Sequence, residues 1–253
     1  MIPKIIHHIW FNFENPGIKS KLPWKYRKQR EVLMEMNPEY KFVFWTESNA
    51  LPLIKEHYSK YYDLFINLKE PIEKVDIFKY MIMHHCGGIY LDVDIISRRP
   101  LRKFFRNKKM QYDVILSKEN RYIMDKISLS NAVIMSSEGC DFWKDVIQYI
   151  FNWTPGYMSL LDNHIYILEK TGPIMLNKLY KANKNKYNFY VAADTCFMTD
   201  NIKGYLYHTS DKTWVDSRVY KSVLIMIILL ILAIFIIYYC IRFIRRHMSK
   251  KKI

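Results

Sequence analysis

Residues 75–95, VDIFKYMIMHHCGGIYLDVDI, join a helical apolar pattern to a strand-like one across two glycines and end on two aspartates. Pro71 stands where a helix starts. Ile72, Val75, Phe78, Met81, Ile82 and His85 then recur at helical spacing along one side. Gly87-Gly88 ends that helix and is expected to let backbone and ligand approach closely. Ile89 to Val93 reads as a strand, so period-two alternation sends Asp92 and Asp94 to one side and Leu91 and Val93 into the core. A helix feeding a short apolar strand with charge at its carboxyl end is a building unit of α/β layered domains. In such sheets ligands gather at those strand ends.

Outward from this block the same alternation continues. Lys4 to Phe11 and Tyr40 to Trp45 read as strands, and Trp24 to Met36 reads as a helix stopped by Asn37-Pro38. Tyr112 to Leu116 and Ala132 to Met135 are further short strands. Gly139 to Trp153 and Gly156 to Lys170 look helical, and Thr171-Gly172-Pro173 precedes another helix. The pattern predicts one α/β domain over residues 1–217 with a mainly parallel sheet. The composition agrees: 50% apolar residues, 16% aromatic, and only seven glycines and nine prolines in 253 residues exclude a disordered or collagen-like chain. The four cysteines form no CxxC pair, so neither a zinc ribbon nor a disulfide scaffold is expected.

The net charge of +15 points first to nucleic acid, but its distribution points elsewhere. From Arg218 onward there are eight basic residues and no acidic one, leaving 31 basic and 24 acidic residues in the body, or +7. About half of the excess thus flanks residues 223–241, VLIMIILLILAIFIIYYCI, which carry no charge. As a helix this stretch would reach roughly 28 Å, close to the thickness of a bilayer's hydrocarbon core. Tyr238 and Tyr239 at one end, and Trp214 and Tyr220 before the other, suit interfacial anchors. The expectation is a single membrane-spanning helix over 222–241 with a basic tail, 242–253, and no nucleic-acid partner. The positive-inside rule puts that tail in the cytosol, and the terminal KKKI resembles an endoplasmic reticulum retrieval signal, which suggests the ER and Golgi membranes. MIPKIIHHIW lacks the pattern of a signal peptide, so the side on which the body lies stays open.

Two carboxylates as close as Asp92 and Asp94 repel one another unless a cation or solvent neutralises them. An oxygen-ligated Mg²⁺ or Mn²⁺ bridging to a diphosphate suits the pair, while a solvated strand end is the plainer alternative. Asp76 and Lys79, three residues apart on the preceding helix, read either as part of the same site or as an exposed ion pair. His7, His8, His84 and His85 come in pairs without a third ligand at metal spacing and read as structural.

The block VDIFKYMIMHHCGGIYLDVDI resembles the DxD region of the glycosyltransferase family 32 sugar transferases, which share a GT-A fold with the large clostridial glucosylating toxins. IPKIIHHIWF resembles that family's opening strand. Ser130-Asn131-Ala132, GCDFW, TGPIML and YLYHTSDKTW resemble later blocks, so the likeness spans about residues 2–215. Within the family the inositol phosphorylceramide mannosyltransferases are the most similar. The resemblance implies a GT-A, Rossmann-like nucleotide-sugar transferase domain and a set of roles. Trp10 would stack on the nucleotide base, Asp76 would bind donor-sugar hydroxyls, and Tyr90 and Asn131 would line the same pocket. Asp92 and Asp94 would hold the metal and nucleotide, with His208 completing the metal shell and Lys79 assisting the leaving group. Two departures stand out: Lys79 replaces the family's usual arginine and cannot form its two-pronged contact, and a histidine usual after the glycine of GCDFW is absent at Cys140-Asp141.

The implied reaction is metal-dependent transfer of a hexose, with retention, from a nucleotide-sugar donor to a hydroxyl. GDP-mannose is the favoured donor, with Mn²⁺ or Mg²⁺ as cofactor. The acceptor implied is a lipid headgroup such as inositol phosphorylceramide. Two alternatives are a glycan- or protein-directed α-mannosyl- or glucosyltransferase, and an inactive membrane protein that only binds nucleotide sugar.

Overall fold

The computed structural model describes residues 1–11, 21–106, 111–119 and 128–211, together with Ile228, Ile231, Leu232 and residues 234–242. β1 (Ile5–Ile9) leads to α1 (Trp24–Met36), β2 (Lys41–Trp45), α2 (Glu47–His57), α3 (Ser59–Ile66), α4 (Pro71–His85) and β3 (Gly88–Leu91). Next come β4 (Ile95–Ser97), α5 (Leu101–Arg106), β5 (Val114–Lys118), β6 (Leu129–Ser136) and α6 (Asp141–Asn152). Three helices follow: α7 (Tyr157–Leu161), α8 (Asn163–Lys170) and α9 (Pro173–Asn183). β7 (Phe189–Ala192), α10 (Asp194–Phe197) and β8 (Leu206–His208) come last among these elements.

Six strands form one sheet in the order β2-β1-β3-β6-β5-β7. β2, β1 and β3 are parallel, β7 is parallel to β5, and β6 runs against both of its neighbours. The predicted α/β sheet is therefore mixed, with one strand opposed to the other five. β4 and β8 make a separate antiparallel pair, with Ile95 opposite His208.

The strands carry apolar residues on both faces because helices cover both. Along β3, Tyr90 joins the core containing Phe78, Tyr80, Ile134 and Trp143, while Ile89 and Leu91 join the one containing Ile6, Leu101, Phe197 and Leu206. α4 lies deepest of the helices, buried from Asp76 through Met83. Pro71 opens it, and its first turn is closed by the Glu70 backbone N–H donating to Glu73 Oε2 at 3.2 Å. The predicted helix 156–170 is two helices. Asp162 breaks it, its carboxylate accepting the N–H groups of His164 and Ile165 at 2.7 and 3.0 Å and so capping α8.

Gly87 and Gly88 serve the chain and not a ligand, which corrects the sequence expectation. Their φ angles are +60° and +91°. A Cβ on Gly87 would lie 2.5 Å from the Glu138 nitrogen, and one on Gly88 2.7 Å from the Ile5 carbonyl oxygen. Both sit at the start of β3, the end away from Asp92, where the backbone is wedged between β1 and the turn after β6.

The expected spanning helix 222–241 and tail 242–253 fall largely outside the described residues, as do Trp214 and Tyr220. Ile228, Ile231, Leu232 and residues 234–242 are helical, and their apolar side chains are exposed, Ile236 by 64%. Among the described residues no helix is long and apolar enough to cross a membrane.

Candidate metal centre and donor site

β3 stops at Leu91, one residue before the first aspartate. The Asp92 N–H still donates to the Ala132 carbonyl at 2.9 Å, but the Asp92 carbonyl then accepts from the Ile95 N–H at 3.2 Å and folds the chain into a turn. Val93 is half-buried in that turn and is not a core residue. The two carboxylates therefore converge through a turn, where the sequence pattern had them share one side of a strand.

The turn feeds β4, and β8 pairs with β4, which brings His208 beside Asp94. His208 Nε2 lies 3.2 Å from Asp94 Oδ2. Thr209 seals the join, its N–H and its hydroxyl both donating to the Asp94 carbonyl at 3.1 Å. One ligand atom from each of Asp92, Asp94 and His208 lies within 4.8 Å of the others. Burial works against both charges of the Asp94–His208 pair, but their mutual contact outweighs it. Asp94 is held below the usual carboxylate range and His208 is raised above 6.5. Two hard oxygens with one imidazole nitrogen, and no thiolate, fit a divalent cation such as Mn²⁺ or Mg²⁺.

Behind Asp92 lies a buried polar network. Lys79 Nζ sits 2.8 Å from Asp76 Oδ1 and 3.5 Å from Asp92 Oδ1, and 4.8 Å over the Tyr90 ring. Burial would lower the Lys79 pKa, but Asp76 and Asp92 raise it beyond the ordinary lysine value, so the ammonium stays charged. Asp76 accepts from Asn131 Nδ2 at 3.1 Å and from Thr171 Oγ1 at 2.9 Å. The Tyr90 hydroxyl donates to Asp92 Oδ1 at 2.5 Å. Asn131 also donates to the Tyr80 hydroxyl at 3.3 Å, and that hydroxyl donates to the Thr171 carbonyl at 2.7 Å.

Every site residue named from the sequence thus falls at one end of the sheet, though not always as imagined. Lys79 is almost wholly buried and counters two carboxylates, Asp76 and Asp92. Tyr90 is likewise buried, its hydroxyl turned to Asp92. Trp10 lies just past β1, half-buried, with its ring centroid 5.8 Å from that of Tyr26. The Tyr26 hydroxyl donates to Asp211 Oδ2 at 2.9 Å, and the Asp211 N–H donates to Asp94 Oδ2 at 3.0 Å, which ties Trp10 to the same rim. Sequence reasoning missed Tyr26, Tyr80, Thr171 and Asp211. Thr171 and Asp211 lie inside the TGPIML and YLYHTSDKTW blocks, which was the one signal available.

The paired histidines lie elsewhere. His7 Nε2 donates to the Gly87 carbonyl at 3.0 Å while its Nδ1 accepts from Trp45 Nε1 at 3.1 Å. His84 Nδ1 meets the Tyr58 hydroxyl at 2.8 Å, and His85 lies against His57 with the rings tilted and their centroids 4.1 Å apart.

Residues 23–122 match the glycosyltransferase sugar-binding region containing the DXD motif, and Asp92-Val93-Asp94 lies within that span. Over this part the chain is thus similar to a DXD-type sugar-binding region. More particularly, the chain is 29% identical over 188 residues to a mannosyl phosphorylinositol ceramide synthase of Saccharomyces cerevisiae, covering 73% of this chain and 43% of that protein. It is also 29% identical over 187 residues to an uncharacterized glycosyltransferase of Acanthamoeba polyphaga mimivirus, covering 64% of this chain and 72% of the viral one. The chain spans less than half the length of the yeast relatives it matches. Among solved structures it shows a loose likeness to the ligand-free glycosyltransferase domain of the YGT toxin. The TM-score is 0.46 at 9% identity, over 76% of this chain and 80% of that one.

Proposed function

We propose that this chain is a metal-dependent, retaining glycosyltransferase that moves mannose from GDP-mannose to the headgroup of a membrane lipid of the inositol phosphorylceramide type. The convergence of Asp92, Asp94 and His208 at the carboxyl end of β3 carries this reading. A Mn²⁺ or Mg²⁺ ion held by these three residues would stabilise negative charge on a departing diphosphate. Tyr90 and Lys79 approach Asp92 through Oδ1 alone, from the buried side, and so fix the carboxylate's orientation. Lys79 also permits two further carboxylates to lie within a few ångströms of it in a site that already carries Asp94. Trp10 offers a ring for the nucleotide base. Asp76 and Asn131, already joined to one another, would exchange that bond for hydroxyls of the donor sugar.

The likeness to a mannosyl phosphorylinositol ceramide synthase of yeast supports mannose as the sugar and this class of acceptor, and a surface beside the site supports an acceptor with an apolar part. α7 packs on α8, and α8 reaches the first turn of α4, where Lys170 Nζ lies 2.6 Å from Glu73 Oε1. α8 also ends at Thr171, the partner of Asp76. On α7 the side chains of Tyr157, Met158, Leu160 and Leu161 are all exposed, Leu160 by 69%. Such a run next to a sugar site favours an acceptor with an apolar part. The uncharged segment 223–241 would span the membrane once, with its basic tail at the cytosolic surface of the ER or Golgi.

The test is a donor screen of the full chain with Mn²⁺, using GDP-mannose, UDP-glucose, UDP-galactose and UDP-N-acetylglucosamine, with lipid vesicles or soluble glycans as acceptors. GDP-mannose turnover that requires the lipid is expected. Equal transfer to soluble glycans or proteins would move the activity to the glycan- or protein-directed class. Donor binding with no turnover under any condition would make the protein an inert nucleotide-sugar binder.

A further inference from the structure

We infer that Asp211 is a positioning residue of the metal centre, clasped by α1 so that its backbone N–H fixes Asp94. The inference rests on the metal-binding role proposed above and extends it to residues outside the DxD turn.

Four contacts converge on this one residue. Lys25 Nζ lies 2.5 Å from Asp211 Oδ2, and the Tyr26 hydroxyl donates to the same oxygen at 2.9 Å. The Thr209 hydroxyl lies 2.9 Å from Oδ1, sharing its one proton between that oxygen and the Asp94 carbonyl. Pointing the other way, the Asp211 N–H donates to Asp94 Oδ2 at 3.0 Å, the same oxygen that His208 Nε2 approaches at 3.2 Å. The carboxylate is thus held by α1 while the amide holds a metal ligand.

The backbone between His208 and Asp211 is bent for this purpose. Ser210 has φ +57°, the only non-glycine residue with positive φ among the described residues. Such a conformation costs a serine roughly 1 kcal/mol or more and persists only where its surroundings enforce it. Here it is the turn that aims the amide at Asp94 while the side chain returns to α1. Stability does not explain the arrangement, because Lys25 is 54% exposed and an ion pair of that kind contributes about 0–1 kcal/mol. What the clasp does provide is register. Without it α1 loses its hydrogen bonds to the segment that carries His208, and the Trp10–Tyr26 contact loses its link to Asp94.

The experiment titrates Mn²⁺ into the metal-free full chain, following free Mn²⁺ by its electron paramagnetic resonance signal, with melting curves for each variant. Asp211→Ala should weaken Mn²⁺ binding about 10- to 100-fold, as loss of an outer partner of a metal ligand does. The melting temperature of the metal-free protein should fall by no more than about 4 °C. Tyr26→Phe keeps the ring against Trp10 and removes one hydrogen bond, so it should weaken binding by a smaller factor and serves should Asp211→Ala not fold. In a His208→Ala background Asp211→Ala should cost less than it does alone, since both act on one oxygen of Asp94. Wild-type affinity in both variants would overturn the inference, as would a large loss of stability with unchanged Mn²⁺ affinity of the folded protein. If the wild-type chain itself binds no Mn²⁺, the metal reading falls and takes this inference with it. If the wild type binds and the variants match it, only the inference falls.

Discussion

The two ends of β3 are built from opposite materials. At its start, neutral groups pack tightly: Gly87 and Gly88 in the left-handed region, His7 bridging the Gly87 carbonyl and Trp45, and His8 only 2% exposed. At its finish, charges crowd together: Asp76, Asp92 and Asp94 within one network with Lys79 and His208. The first end tolerates no added atom. The second carries three carboxylates that Lys79 and His208 offset only partly, and it stays partly open, with the Asp92 side chain 29% exposed. Stability and chemistry are thus separated along a four-residue strand, and substitutions at the two ends should fail in different ways.

The largest effect belongs to the charged end. Asp92→Asn with Asp94→Asn should reduce sugar transfer at least a thousandfold, over 4 kcal/mol of barrier, and should lower the melting temperature by only a few degrees, through loss of the Asp94–His208 contact. Full activity in that double variant would break the comparison at once.

Next comes the response of the neutral end to acid. Burial lowers the pKa of His7 to about 4 and that of His8 to about 3, so both are uncharged in the fold and take up protons near 6.5 once unfolded. Their contribution is complete above pH 6.5 and is lost as pH falls toward 4 and 3. Between pH 7.5 and pH 5 each histidine should cost about 2 kcal/mol of unfolding free energy, about 4 together. Urea titrations across that range check it, and a flat profile would mean these imidazoles are not buried as neutral groups.

The smallest effect is steric. Gly87→Ala should destabilise the protein by about 3 kcal/mol, through positive φ and the clash with the turn after β6, without changing Mn²⁺ affinity of the folded fraction. A change in metal binding there would show that the two ends are coupled through the strand.

The parts of this architecture legible in the sequence are those decided by near neighbours. α1 runs over the predicted Trp24–Met36 because Asn37-Pro38 stops it, and α4 begins at Pro71 as predicted. Asp92 and Asp94 announce themselves by proximity. The turn that unites them did not, because Val93 extends an apolar alternation that β6 no longer supports: the β3–β6 pairing ends at Leu91 and Val133. α2 carries Pro52 inside it, so its apolar spacing lacks the clean start and stop that mark α1 and α4. Thr171 reaches Asp76 across 95 positions, Tyr26 reaches Asp211 across 185, and Asp211 reaches Asp94 across 117. No local spacing encodes such contacts. They exist only after the sheet has set the distances.

Because β8 supplies His208, the third proposed donor comes from the last strand to be synthesised among the described residues. A nascent chain released only as far as β7 owns two carboxylates in a turn and no imidazole to join them. The proposed cation site would therefore be complete only once Ile95–Ser97 pairs with Leu206–His208. Until then the domain would present only the two carboxylates of the Asp92–Asp94 turn, so the metal grip proposed above would come last in its assembly.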